Sequence, residues 1–268
     1  LGLKQGIAVG VGAIDCHVGA VGAGVRDNVL VKVVGTSTCD ITTASYDVIG
    51  THTVRGICGQ VDGSVLPNRI GFEAGQAAFG DIYAWYKRLL GWSLKYVANS
   101  AELEDKILAE LTKQAEQLPL TADDMVAVDW FNGRRSPDDD PLATGALLNL
   151  TLATTAPEIF KALVEATAFG SRAINERLKE EGLCIDTILA VGGISKKSRF
   201  VMQTMSDVIG LPIRIVRSTQ ACALGSAMNA AVAAGVWFRA SFIAPPTVPA
   251  TTPPTPAIVP SPRPRFVN

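Results

Sequence analysis

Short apolar runs separated by glycines fill the N-terminal third of this chain, and helical periodicity takes over after it. Residues 7–14, Val29–Val34, 39–43 and 65–70 are rich in branched apolar side chains, and each predicts a strand. Phe79, Ile82, Tyr83, Tyr86, Leu89 and Leu90 then recur every three or four positions. That spacing predicts a helix over 73–90 with one apolar face. A second helix is expected over 102–118, charged on its outer side and stopped by Pro119. Residues 125–131 read as a short strand, and the polar, Pro-containing stretch 132–141 as a surface loop.

The last third carries the clearest signals. Thr155-Ala156-Pro157-Glu158 is a capping box with Pro in the first turn, and it opens a long helix that runs to Glu181 and stops at Gly182. Residues 185–191 are continuously apolar, as in a strand covered on both faces. Gly192-Gly193 leads into a helix over 196–209 ended by Gly210, then a strand over 211–216 and a helix over 221–234. Strands first and strand–helix repeats afterwards predict an α/β domain, a mixed sheet flanked by helices. Residues 221–238 approach membrane-spanning length, but they are rich in Ala and Gly and are interrupted by Ser226 and Asn229, so a buried helix is expected. Beyond residue 240 Pro and Thr take over, which divides the chain into a domain over 1–240 and a tail over 241–268 expected to lack order.

Composition narrows the class. A chain of 268 residues, 48% hydrophobic and 18% charged, fits a soluble, core-forming protein. Its net charge of −1 offers no field for nucleic acid or an anionic membrane. The cysteines Cys16, Cys39, Cys58, Cys184 and Cys222 form no C-x-x-C pair, and their odd number argues for reduced thiols in a cytoplasmic protein. With His17 and His52 the only histidines, no metal ligand set is assigned. The start Leu-Gly-Leu-Lys reads as that of a fragment or a processed chain, with no secretory leader in view.

Two places suggest chemistry. After the strand Val29–Val34 comes Gly35-Thr36-Ser37-Thr38, a Gly and three hydroxyls whose backbone and side-chain donors can converge on an anion. The bland alternative is a polar hairpin turn. Asp15 ends the first apolar run and could accept a proton from a hydroxyl attacking phosphorus; equally, it could cap a following helix. No G-x-x-x-x-G-K-[ST] pattern occurs, so phosphate charge would be met by backbone dipoles, hydroxyls and Mg²⁺. Gly192-Gly193 would let a flat ligand approach the backbone, or would serve tight strand–helix packing. Glu73 could accept hydrogen bonds from two sugar hydroxyls, or simply face a helix N-terminus. Cys16 and Cys39 are expected to be buried, inert thiols.

Taken in order, several stretches resemble the C-terminal domain of the FGGY carbohydrate kinases, most closely the ribulokinase branch. They are Gly12-Ala13-Ile14-Asp15-Cys16-His17, Gly35-Thr36-Ser37-Thr38-Cys39-Asp40, Gly56-Ile57-Cys58-Gly59-Gln60-Val61-Asp62-Gly63-Ser64, Glu73-Ala74-Gly75-Gln76, Phe79-Gly80-Asp81-Ile82-Tyr83-Ala84-Trp85, Asp129-Trp130-Phe131-Asn132-Gly133-Arg134-Arg135, Gly192-Gly193-Ile194 and Cys222-Ala223-Leu224-Gly225. The resemblance covers roughly residues 6–235. It implies the actin-like, ribonuclease-H-like ATPase fold and an ATP- and Mg²⁺-dependent sugar kinase acting on L-ribulose or a related ketopentose. It puts the catalytic base at Asp15, which also touches sugar, and a sugar contact at Glu73. It places the nucleotide against Gly35, Thr36, Ser37, Thr38, Gly75, Gly192, Gly193 and Ser198, where Ser198 stands in place of a frequent Asn. The Asp129–Arg135 stretch is distinctive without a role. The resemblance also implies a missing N-terminal kinase half with its own phosphate loop, hence an inactive chain on its own whose exposed face allows a homo-oligomer. Another kinase of the family, such as a xylulokinase, and a non-catalytic actin-like nucleotide-binding module stay open.

Overall fold

The computed structural model describes residues 2, 4–97, 100–121, 123–236 and 247–249. In chain order the elements are α1 (Asp15–Ala23), β1 (Val29–Val34), β2 (Thr38–Ala44), α2 (Tyr46–Ile49), β3 (Gly59–Asp62), β4 (Ile70–Ala74), α3 (Gly80–Leu90), α4 (Ser100–Ala115), β5 (Val126–Val128), β6 (Ala146–Leu148), α5 (Ala156–Glu180), β7 (Thr187–Val191), α6 (Gly193–Lys197), α7 (Arg199–Ile209), β8 (Ile213–Val216), α8 (Ala221–Ala233) and β9 (Thr247–Pro249). The main sheet runs β3-β4-β2-β1-β7-β8-β9, and β5 pairs with β6 apart from it. β1, β7 and β8 are parallel, whereas β2, β4 and β3 extend the sheet antiparallel.

Strand alternation divides the core in two. Leu30 and Val34 of β1, with Ile188 and Ala190 of β7, join a cluster with Phe79, Ile82 and Tyr86 of the α3 region, Leu163 and Ile174 of α5 and Met202 of α7. Val29 and Val31, with Leu189 and Val191, face the other way, onto Ala20 and Val21 of α1 and Met228 of α8. The capping box forms as expected, with Thr155 N donating to Glu158 Oε2 at 2.6 Å.

Six expectations are corrected. Residues 7–14 form no strand; Val9 and Val11 are 85% and 96% exposed, and no described strand pairs with them. Residues 65–69 form the turn between β3 and β4, because Pro67 has no N–H to give a ladder and Asn68 adopts φ 59°. The helix predicted over 73–90 begins only at Gly80, since Glu73 and Ala74 are held in the sheet opposite Ile41 and Asp40. The helix over 196–209 is two helices, broken at Ser198, whose hydroxyl accepts from Val201 N at 3.3 Å and caps α7. α8 is not a buried helix: only Ala221, Gly225 and Met228 are buried, because its main packing is against α1 on one side. No helix among the described residues is long and apolar enough to cross a membrane. Of the Pro/Thr-rich tail, Thr247–Pro249 pairs along β8, which differs from the expected lack of order at those three positions; its other residues lie outside the described ones.

α1 and α8 meet backbone to backbone. A Cβ on Gly225 would lie 1.8 Å from the Val18 carbonyl oxygen, and one on Gly22 would lie 2.0 Å from that of Ala221. Both obstacles are backbone, so the helices themselves would have to part. Gly225→Val is therefore expected to cost about 1–3 kcal/mol or more, read as a lowered urea midpoint. An unchanged midpoint would show that the crossing is looser than this geometry requires.

Candidate active site

β1 and β7 run parallel with Val33 opposite Val191, so their C-terminal ends deliver two turns to one edge of the sheet. One is Gly35-Thr36-Ser37, entering β2; the other is Gly192-Gly193, entering α6. A third segment, residues 75–80, closes against both. Phe79 N and Asp81 N donate to the Thr36 carbonyl at 2.7 and 3.1 Å, and Gly80 N donates to that of Gly35 at 3.1 Å. A Cβ on Gly80 would sit 2.6 Å from the Gly35 oxygen and 2.5 Å from Ile194 Cδ1.

The predicted nucleotide residues come together here, in two roles. Thr36 is exposed and Ser37 half-buried, and neither hydroxyl has a partner among the described residues. Gly193 is open too, with nothing within 4 Å of where its Cβ would be. The other positions hold shape. Thr38 is buried, and its Oγ1 accepts from Gln76 N at 2.9 Å. Gly192, at φ 104°, lies against β1, where a Cβ would meet the Val34 oxygen at 2.3 Å; this is the tight-packing role. A Cβ on Gly75 would clash with the Thr38 carbonyl at 2.1 Å. Ser198 caps α7.

Asp15 is exposed at the first position of α1. Its Oδ1 accepts from Cys16 N at 2.7 Å, and Cys222 Sγ donates to its carbonyl at 3.2 Å. Cys16 in turn shares a side-chain hydrogen bond with Cys39, the residue after Thr38. His17 Nε2 lies 3.1 Å from Glu73 Oε2, and its Nδ1 lies 3.2 Å from the Ser64 carbonyl. Both partners are hydrogen-bond acceptors, and the ring can donate to either. Glu73 thus sits in β4, not at a helix start, and α1 is tied to the sheet beside the turn.

Sequence reasoning missed the bracing behind this edge. Gln76 Nε2 donates to Asp129 Oδ2 at 2.7 Å and to the Thr167 carbonyl at 2.9 Å, while Ser171 Oγ donates to Gln76 Oε1 at 2.8 Å. Burial pushes the Asp129 carboxyl up, against the pull of the Gln76 bond. Arg135 Nη2 donates to the Thr38 carbonyl and Nε to that of Gly75 at 3.5 Å. Arg134 lies over the Trp130 ring at 5.0 Å. The distinctive Asp129–Arg135 stretch therefore supports the turn from behind; its unusual composition was the only signal.

The thiols also depart from expectation. Cys39 is lowered to about 6, first by the hydrogen bond from the Cys16 thiol and then by the Arg135 guanidinium, against burial that raises it. The same bond to Cys39, with burial, pushes Cys16 well up. Cys16 is buried as expected, whereas Cys39 is half-buried, with a fixed cation and a donor thiol that both favour its thiolate.

Comparison with known proteins places the fold and the family. Residues 30–234 match the family described as "FGGY family of carbohydrate kinases, C-terminal domain". The ribulokinase of Vibrio parahaemolyticus is 47% identical over 245 residues, covering 88% of this chain and 43% of that protein. That of Shouchella clausii is 40% identical over 237 residues, covering 88% and 41%. The xylulose kinase of Rhodospirillum rubrum superposes with TM-score 0.69 at 26% identity, covering 88% of this chain and 43% of that one. The Plasmodium falciparum glycerol kinase with ADP superposes with TM-score 0.64 at 18% identity, covering 86% and 47%. The chain spans less than half the length of the relatives it matches.

Proposed function

Because this chain belongs to the FGGY family of carbohydrate kinases, through its C-terminal domain, we propose that it is the nucleotide-side part of an ATP-dependent ribulokinase, converting L-ribulose and ATP to L-ribulose 5-phosphate and ADP. The observation that carries this is the convergence of the Gly35-Thr36-Ser37 turn and the open Gly193 at the ends of two parallel strands. Among relatives, sequence identity is higher to ribulokinases than to the xylulose kinase, which favours ribulose over xylulose.

The residues fit ATP. The open backbone at Gly193 accommodates a flat base or ribose, and the unpartnered hydroxyls of Thr36 and Ser37 suit phosphate oxygens. These donors are neutral, so Mg²⁺ carried by the nucleotide supplies the compensating charge. Bound ATP supplies the phosphoryl group. Asp15 would accept the proton of the attacking sugar hydroxyl, and Glu73, held by His17, would orient the sugar by accepting from its other hydroxyls. Gly35, Thr38, Gly75, Gly192 and Ser198 would act by holding the cradle's shape.

Gly193→Leu in a full-length enzyme carrying this domain tests the cradle. The fold should tolerate the side chain, since its first atom meets open space. The KM for ATP should rise severalfold with the KM for L-ribulose nearly constant; an unchanged ATP KM removes Gly193 from the site. The 268-residue chain alone should release no ADP on adding L-ribulose, since it matches only 43% of the Vibrio parahaemolyticus relative. Sugar-dependent turnover near that of a complete kinase would require the whole active site within this chain.

A further inference from the structure

The thiol pair beside the turn has no part in phosphoryl transfer. Cys39 Sγ lies 3.8 Å from Arg135 Nη2, and Cys39 packs against the apolar cluster that holds the buried Cys16 thiol. Arg135 is pinned there, because the same Nη2 donates to the Thr38 carbonyl and Nε to that of Gly75. Cys39 itself is half-buried on β2, directly after the turn. We propose that Cys39 and Cys16 are a peroxide-reactive dithiol: hydroperoxides oxidise Cys39, and Cys16 resolves the product into a disulfide that ties α1 to β2.

Three groups act on the Cys39 sulfur, along with its burial. Cys16 of α1 and Arg135 of the 132–141 loop favour the thiolate, whereas Glu73 of β4 and the burial of the site oppose it. The balance lowers Cys39 to about 6, in the direction that favours its thiolate. Its neighbours differ. Burial pushes the Cys58 thiol up, and the Asp186 carboxylate, accepting from Cys184, pushes that thiol up. Reactivity follows thiolate character and access, and Cys39 combines them with an adjacent second thiol.

The chemistry balances with a hydroperoxide as the two-electron oxidant. The Cys39 thiolate attacks one peroxide oxygen, the O–O bond breaks, and the leaving hydroxide takes a proton to become water, or an alcohol from an organic hydroperoxide. Cys39 is then a sulfenic acid. The Cys16 sulfur attacks the Cys39 sulfur, the S–O bond breaks, and hydroxide leaves with the Cys16 proton as water. The product disulfide removes the anion beside Arg135 and clamps the first turn of α1, next to Asp15. Its effect on turnover depends on Asp15 acting as the base; the thiol chemistry does not.

The test uses the 268-residue chain. The reduced protein is exposed to a small excess of hydrogen peroxide at neutral pH, quenched, and digested without reductant. The expected result is a loss of two hydrogens in the intact mass and a Cys16–Cys39 linked peptide, both reversed by dithiothreitol. In Cys16→Ser, dimedone should trap a sulfenic acid on Cys39; in Cys39→Ser, Cys16 should stay reduced. Without any substitution, iodoacetamide should label Cys39 at least about tenfold faster than Cys184 at neutral pH. Oxidation that begins at Cys184 or Cys222 with no linked peptide overturns the proposal, as does labelling of Cys39 no faster than Cys184.

Discussion

Asp15→Asn, placed in a full-length enzyme carrying this domain, should lower turnover by roughly 10²–10⁴-fold, the range for losing a general base, with ATP binding nearly intact. The amide keeps the shape of the carboxylate, and its oxygen can still accept from Cys16 N, as Oδ1 does at 2.7 Å. The helix start should therefore survive, and only the ability to take a proton is lost. The nucleotide contacts proposed above lie on the Gly35 and Gly193 turns, so the KM for ATP should move little. Turnover within a factor of a few of wild type would show that Asp15 is merely a first-turn acid at the start of α1.

The second large effect concerns stability. Lys32 Nζ lies 2.8 and 2.9 Å from the two Asp40 oxygens, and the side chains are 1% and 0% exposed. The two residues face each other across β1 and β2, two strands that frame the Gly35-Thr36-Ser37 turn. Lys32→Met leaves the Asp40 carboxylate buried without its partner, so the domain should lose about 3–5 kcal/mol. Replacing both, Lys32→Met with Asp40→Leu, should recover most of that loss, since removing a whole buried pair is often neutral or stabilising. Urea unfolding of the single and double variants checks both statements. A single variant as stable as wild type would mean that water or relaxation reaches Asp40. A double variant as damaged as the single would mean that packing, not charge, is what Lys32 supplies.

Some elements were legible because their signals are local. Val29–Val34 and Thr187–Val191 have the apolar runs of strands covered on both faces, and both lie where expected within two residues. α5 carries its own start signal in Thr155 and Glu158, two residues three positions apart that bond to each other. The strand β4 was not legible. Ile70–Ala74 contains Gly71 and Glu73, and only pairing with β2 on one side and β3 on the other makes it a strand. The break at Ser198 was missed for a similar reason: the apolar period of α7 runs past it, while its hydroxyl bond to Val201 decides where the helix starts. Residues 7–14 erred in the opposite sense. Their apolar pattern suits a strand, but a strand needs a partner, and none of the described strands pairs with them.

The sequence by itself determined the residue types of the candidate site: the hydroxyl-bearing turn after β1, the glycine pair after β7, and a carboxylate at residue 15. Such features reside in a few consecutive residues, and their chemistry is the same wherever the chain puts them. Only the tertiary structure decided which of them stay open and which are supports. Gly193 is open while Gly192 is filled by Val34, and Thr36 is exposed while Thr38 is bound to Gln76. It also decided that Gln76 meets Asp129 and Ser171, 53 and 95 positions away, and that Cys16 and Arg135 come to Cys39 and lower its pKa. Hydrogen bonding and charge act over a few ångströms of space, and separation along the chain carries no record of that distance until the sheet brings the partners together.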